Sequence, residues 1–425
     1  MSENGLTGHP DHEVAYRMAF LDWLACAAAG ADERAASAMR AAGDDLPAEV
    51  AFAATAGHVL DFDDTLSPGV VHVSAACAPA ALVTAAHLGL SLRAALDAYA
   101  EGFEAMGAVA AASHPALYER GWHPTAVCGP IGAAIAAARL LGLSPSERTT
   151  AVAIAVLRAG GTQGAFGSDG KSIQVGLAAA AGVQAALVAR AGASVDPRVV
   201  HGPVGFQAVV GASWPHPEPG AGWAHPKPGA PSPDLRVSAP PIAQPGDRAI
   251  DRNWIKLYPS CLGTHAPIET AVTAREAGFR LRGDQVDVRV HPVARRAAHL
   301  ETVNDGLSAK FSIPYCVAFT LDHGPPGVRD FGAVDAGVAE RSTMINVVVD
   351  PSLPEFGAVF AVGGDELAVV RCPKGAAERP VGPAEMARKV TELAGDRLTG
   401  VLVDLDAPAA GALDAAGLRL VTAAA

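Results

Sequence analysis

Residues 169–192 read DGKSIQVGLAAAAGVQAALVARAG. After the break at Gly167-Ser168-Asp169-Gly170, the stretch Ser172–Ala189 carries no charge, and its apolar residues recur every three to four positions. Much of it is alanine, the strongest helix former and a side chain small enough to let helices pack closely. It therefore predicts a buried helix in an all-helical layer. The same period runs outward through Val14–Ala29, Pro47–Leu60, Pro79–Leu90, Leu92–Ala112, Gly132–Leu141 and Pro145–Ala159, and through Gly176–Ala191 within the quoted stretch. Ser144-Pro145-Ser146-Glu147 supplies a start signal, with Ser at the N-cap and Pro at the first helical position.

Two further uncharged stretches, Leu66–Leu92 and Gly121–Ala138, raise a membrane question together with Ser172–Ala189. The first contains Pro68, Gly69, His72, Pro79 and His87, and the other two are built from Ala and Gly rather than Leu and Ile. We read all three as segments buried inside a soluble protein. The chain has 425 residues, 50% hydrophobic and 18% charged, which excludes disorder and suits two domains. Its net charge of -12 and the lack of a basic block argue against a nucleic-acid partner. Cys26, Cys77, Cys128, Cys261, Cys316 and Cys372 are scattered, with no CxxC pair among them. They fit reduced thiols in a cytoplasm, not a zinc ribbon or an iron–sulfur cluster. The polar, acidic N-terminus MSENGLTGHPDHE gives no sign of a signal peptide.

The pattern changes after residue 212. Ten of the 32 prolines fall between Pro215 and Pro245, so 213–247 is expected to be a linker or an exposed loop. Beyond it, Val286–Val290, Met344–Val349, Gly357–Val362 and Glu366–Val370 read as strands, and helices are expected near Gly263–Ala277, Ala309–Leu321 and Pro383–Ala394. The expected fold is mainly α: an all-helical domain over 1–212, completed by 395–425, with a smaller α+β domain over 248–394.

Several segments carry candidate chemistry. Gly129-Pro130-Ile131-Gly132 and Gly160-Gly161-Thr162-Gln163-Gly164 follow helices and do not complete GxGxxG, so neither is a dinucleotide loop. His58-Val-Leu-Asp61-Phe-Asp63-Asp64-Thr65 places three carboxylates within four residues. They could bind a cation with Thr65 or His72, or simply end a helix. His72 follows in an apolar loop, as a core histidine or an acid/base. Only six of the 32 basic residues are lysine, and Lys171, Lys256 and Lys310 stand in segments otherwise low in charge. A lysine is a compact point charge suited to a carboxylate or a carbanion-like intermediate, although such residues also serve as plain surface charges. Gly121-Trp122-His123-Pro124-Thr125 and Ser260-Cys261-Leu262-Gly263-Thr264-His265 each put a histidine at a break before a helix, where anions are favoured.

Taken together these segments resemble the MmgE/PrpD family, which includes 2-methylcitrate dehydratase, cis-aconitate decarboxylase and iminodisuccinate epimerase. The resemblance runs in order through HVLDFDDT at 58–65, GWHPTAVCG at 121–129 and DGKSIQVGLAAAAGVQAALVARAG at 169–192. It continues through KLYPSCLGTHAPIETA at 256–271 and AKFSIPYCVAFTLDHG at 309–324. It implies a homodimer whose helical domain carries a smaller α+β lid, with the site between them and no metal or other cofactor. By position it implies catalytic roles for His72, Asp61, Thr65 and Lys171, and substrate binding by His123, His265, Lys256 and Tyr315.

Three positions depart from the family. Leu66 stands where a histidine often follows the Thr of DFDDT, and Gln174 and Leu177 stand where a histidine and an arginine often follow the lysine. Fewer basic groups point to a substrate with fewer carboxylates, or to a different one. The function expected is a metal-independent lyase moving a proton next to a carboxylate or carbonyl of a small polar acid. An isomerase or epimerase using the same carbanion-like step, or an inactive ligand-binding homologue, is the alternative.

Overall fold

Small side chains decide how closely the helices of this protein approach one another. In the computed structural model, which describes residues 10–211, 248–283 and 285–419, a Cβ added at Gly182 would stand 2.5 Å from the Pro130 carbonyl oxygen and 2.6 Å from Ala133 Cβ. Gly102 and Gly132 bring the helices Leu92–Ser113 and Pro124–Leu140 together in the same way. Gly182→Ala is expected to destabilise the protein by about 1–2 kcal/mol. Overpacking costs about 1–3 kcal/mol and outweighs a helix-propensity gain of about 1 kcal/mol. Urea unfolding checks this, and an unchanged or raised midpoint contradicts it.

The helical layer comprises Pro10–Gly30, Leu46–His58, Val73–His87, Leu92–Ser113, Pro124–Leu140, Pro145–Val156 and Gly170–Arg190, with shorter helices between them. Local signals set several starts. The Asp45 and Ser91 side chains accept from Ala48 N and Ala94 N, and Ser144 and Glu147 form a reciprocal capping box. Two starts differ from expectation. Pro79 and Pro130 lie inside helices that begin six residues earlier, at Val73 and Pro124. A proline near the start of a long helix costs one ladder bond, and burial of the rest offsets that loss. Gly170–Arg190 is long and apolar enough by length and composition to cross a bilayer, yet most of it is buried against neighbouring helices.

The mixed part contains one four-stranded sheet in the order Ile345–Val349, Val286–Val290, Ala358–Val362, Asp365–Val370. The first pair is parallel and the others antiparallel. Val286, Val288 and Val290 alternate inward, under the helices His265–Glu276 and Ile313–His323. The chain is thus mainly helical with a small mixed sheet.

Two hydrophobic clusters divide most of the core. One gathers the N-terminal helices, and the other runs from Trp254 to Ala376 and includes Tyr118. The helix Pro383–Ala394, read from sequence as part of the α+β domain, instead buries Met386, Val390, Leu393 and Ala394 in the helical cluster. Its apolar residues line one face, and the helix Pro10–Gly30 is the surface that covers them. Leu405, Ala409, Leu413 and Leu418 join the same cluster. A short antiparallel pair, Thr65–Leu66 with Asn253–Trp254, ties the two halves beside the DFDDT segment. The proline-rich stretch 213–247 lies outside the described residues.

Candidate active site

The segment Leu60-Asp61-Phe62 turns sharply, and Asp61 takes φ 52°, a left-handed conformation that costs a non-glycine residue about 1–2 kcal/mol. Three lysines from the C-terminal half hold it. Lys310 Nζ donates to Leu60 O at 2.5 Å, Lys256 Nζ to Asp61 O at 2.7 Å and Lys389 Nζ to Phe62 O at 2.7 Å. Three successive carbonyls are thus each clamped by a buried ammonium group. Lys389 also bridges to Asp22 Oδ1 at 2.6 Å and donates to Lys256 O at 2.9 Å. Burial pushes Lys310 down to about 8, against the opposing pull of Asp61. It pushes Asp22 up to about 6, against the pull of Lys389.

The clamp aims the Asp61 carboxylate at the middle of the site. Its Oδ1 lies 2.6 Å from Lys256 Nζ, 2.9 Å from Lys171 Nζ and 3.8 Å from His72 Nε2. Its Oδ2 is buried without a hydrogen-bond partner among the described residues. Burial alone would raise its pKa, but Lys171 and Lys256 outweigh burial and hold the carboxyl well below the usual range.

Around this ion triad stand three imidazoles. His72 and His123 occupy the N-caps of Val73–His87 and Pro124–Leu140, and Lys171 sits in the first turn of Gly170–Arg190. Three helices therefore turn their electropositive ends toward one place, a setting that favours an anion. His72 N donates to Thr125 Oγ1 at 3.1 Å, which ties two of these helix starts together. His72 Nδ1 lies 3.2 Å from Asp63 Oδ2, close but without the alignment of a full hydrogen bond. His58 Nδ1 donates to the same carboxylate at 2.9 Å, and the His58 ring packs 4.6 Å from His72 and 6.0 Å from His123. Burial lowers all three imidazoles: His58 to about 4 and His72 below its ordinary value, each against the pull of Asp63, and His123 well below its ordinary value. Phe166 meets His123 edge-on at 5.0 Å, and the Phe166 and Phe311 rings lie 5.8 and 5.5 Å from Lys171 Nζ.

Other candidates are placed differently. Thr65 Oγ1 donates to Val71 O at 3.3 Å and closes the loop leading to His72. His265 opens its helix beside Lys256, with Nε2 3.4 Å from Ser260 O, and burial followed by Lys256 pushes it down to about 3. Tyr315 accepts a hydrogen bond from Asp335 N at 3.0 Å and packs against Phe319 inside the mixed unit. The structure does not bring its hydroxyl to the cluster. Asp64 takes bonds from Ser74 and Asn253, and burial raises it well above the usual range.

His58 and Asp63 were not singled out individually in the sequence, although both lie in HVLDFDDT. Their five-residue spacing matters only because the helix ends at His58 and the chain doubles back. Lys389 stood among other charges and gave no signal. His58, Asp63 and His72 offer three donor atoms within 4.8 Å of one another, a set that could hold a metal ion. The cation reading of the sequence joined the three carboxylates to Thr65 or His72 and left His58 out. In this structure the Asp63 carboxylate is engaged by the two imidazoles themselves.

Comparison with known proteins adds to this geometry. Residues 45–217 match the MmgE/PrpD N-terminal domain, and residues 258–407 match the MmgE/PrpD C-terminal domain. The chain belongs to the MmgE/PrpD family. It is 34% identical over 159 residues to cis-aconitate decarboxylase of Homo sapiens, covering 36% of this chain and 32% of that protein. The mouse cis-aconitate decarboxylase is 33% identical over a segment of the same length. A cis-aconitate decarboxylase-like protein, oryM, of Aspergillus oryzae is 42% identical over 99 residues, 23% of this chain and 20% of its own. The matched segments thus span a third or less of these relatives.

The departures from the family pattern have separate structural settings. Leu66 is buried and packs toward Gly107, where a Cβ would meet its Cδ2 at 3.0 Å. Leu177 is 55% exposed and lies outside the cluster. Gln174 contacts His123 directly.

Proposed function

We propose that this MmgE/PrpD protein is a metal-independent lyase that moves a proton next to a carboxylate of a small polar acid. The observation that carries this is Asp61 bridging Lys171 and Lys256 with His72 Nε2 3.8 Å away. A substrate carboxylate entering this place competes with Asp61 for Lys171 and gains the three helix N-termini. His72 Nε2 exchanges the proton at the reacting carbon, while Asp63 faces Nδ1 and orients the ring. The resting imidazole is suited to accept a proton. A bound polyanion raises its proton affinity and so also permits the return step, in which a carbanion left by decarboxylation is protonated. Lys171 and His123 stabilise the enolate-like charge in a site largely shielded from water.

The cis-aconitate decarboxylase relatives make cis-aconitate the first substrate to try. The expected result is CO2 release, with one solvent deuterium incorporated into the product in D2O, followed by NMR. Deuterium exchange without loss of CO2 or water would favour an isomerase or epimerase instead. Thermal stabilisation by the acid without any turnover would favour a binding homologue. A homodimer and a cytoplasmic setting belong to the same proposal, and light scattering tests the first.

Chelation is expected to leave turnover and melting temperature unchanged, because Asp63 already takes the His58 hydrogen bond and faces His72. Loss of activity on exhaustive chelation, restored by one stoichiometric metal, would assign that triad to a metal.

A further inference from the structure

Gln174 contacts the backbone of one residue, Thr162, with both ends of its amide. Its Oε1 accepts from Thr162 N at 3.1 Å, and its Nε2 donates to Thr162 O at 3.3 Å. A backbone N–H only donates and a carbonyl only accepts, so these two groups of Thr162 settle which end of the amide is oxygen and which is nitrogen. The NH2 end also lies 2.6 Å from His123 Nδ1. An amide NH2 group cannot accept, so Nδ1 must be the bare nitrogen, and a neutral ring then carries its proton on Nε2. Among the described residues Nε2 has no hydrogen-bond partner, while Lys171, His58, His72 and Asp61 are its electrostatic neighbours. Gly161 makes room for the arrangement: a Cβ there would stand 2.6 Å from Ala126 Cβ and 2.9 Å from Gln174 Oε1.

We propose that Gln174 is a positioning residue that locks His123 as a neutral Nε2–H donor toward a substrate oxygen. The substrate part of this inference rests on the lyase reading above; the tautomer does not. A histidine at this position could share a second proton with His123 and add a positive charge, whereas glutamine supplies only a fixed dipole. This end of the pocket is therefore matched to a carbonyl or carboxyl oxygen taking one hydrogen bond, not to a further carboxylate held by a cation.

The test is 15N NMR of the full-length protein labelled at histidine, with the His123 signals assigned by their loss in His123→Asn. Wild type should show Nδ1 unprotonated and Nε2 protonated. Gln174→Glu presents only acceptors to the ring, so the proton should move to Nδ1, and kcat/KM for cis-aconitate should fall at least tenfold. Gln174→Met, nearly isosteric and without either dipole end, should give a mixture of tautomers. Circular dichroism and melting of both variants verify folding. An Nδ1–H tautomer in folded wild type overturns the proposal, as does a folded Gln174→Glu variant whose tautomer or kcat/KM is unchanged. Wild type inert toward cis-aconitate but showing the Nε2–H tautomer sinks the lyase reading alone and leaves the lock supported.

Discussion

His72→Asn should lower kcat by about 10²-fold or more while changing the binding of a carboxylate ligand much less. Asparagine keeps a polar group of similar reach but cannot exchange a proton near neutral pH. Lys171, Lys256 and the helix N-termini that would hold the ligand stay in place. The pH profile supplies an independent check. A carboxylate beside His72 raises its pKa, while desolvation lowers it. In the structure burial wins, and the imidazole lies below its ordinary value. A neutral His72 that accepts the proton is lost only as pH falls through that lowered value. The acid limb of kcat/KM should therefore lie below pH 6.5 and disappear in His72→Asn. Normal turnover in this variant, with loss in His123→Asn or Lys171→Ala, would move proton transfer elsewhere and leave His72 as a core histidine.

Lys256→Met should cost about 3–5 kcal/mol of stability, the scale for breaking a buried ion pair by removing one partner. The ammonium is fully buried and donates to both the carboxylate and the carbonyl of Asp61. Its loss leaves a buried carbonyl unpaired and a carboxylate with Lys171 alone, on a residue already in a left-handed conformation. Urea unfolding followed by circular dichroism measures the loss. Adding Asp61→Asn should recover part of it, because the uncompensated charge is then gone. A single variant within 1 kcal/mol of wild type, by the scale of exposed pairs, would mean that the clamp contributes little.

Much of the site was legible in the residues. Lysine is scarce in this chain, and Lys171, Lys256 and Lys310 stood out against uncharged neighbours; all three proved buried around Asp61. His123 was visible as a histidine at a break before a helix and His72 as one in an apolar loop, and each is followed seven residues later by a proline inside the helix. Those prolines blurred the boundaries because local propensity registers the missing hydrogen bond but not the burial that offsets it. Tyr315 shows the opposite failure. Its position in the family motif suggested the site, yet the helix Ile313–His323 turns its hydroxyl to Asp335.

The sequence by itself determined the helical layer, the four strands of the mixed unit and the residue types of the site, since periodicity, propensity and composition are local properties. Only the tertiary structure decided how they meet. It put Pro383–Ala394 against the helical core, brought Lys256, Lys310 and Lys389 to three consecutive carbonyls, and set His58 and His72 on Asp63. It also turned Gln174 from a missing positive charge into a fixed donor to His123. Apart from the two histidines on Asp63, these contacts join groups tens to hundreds of residues apart, and their energies depend on desolvation and angle, which exist only once the chain has closed around them.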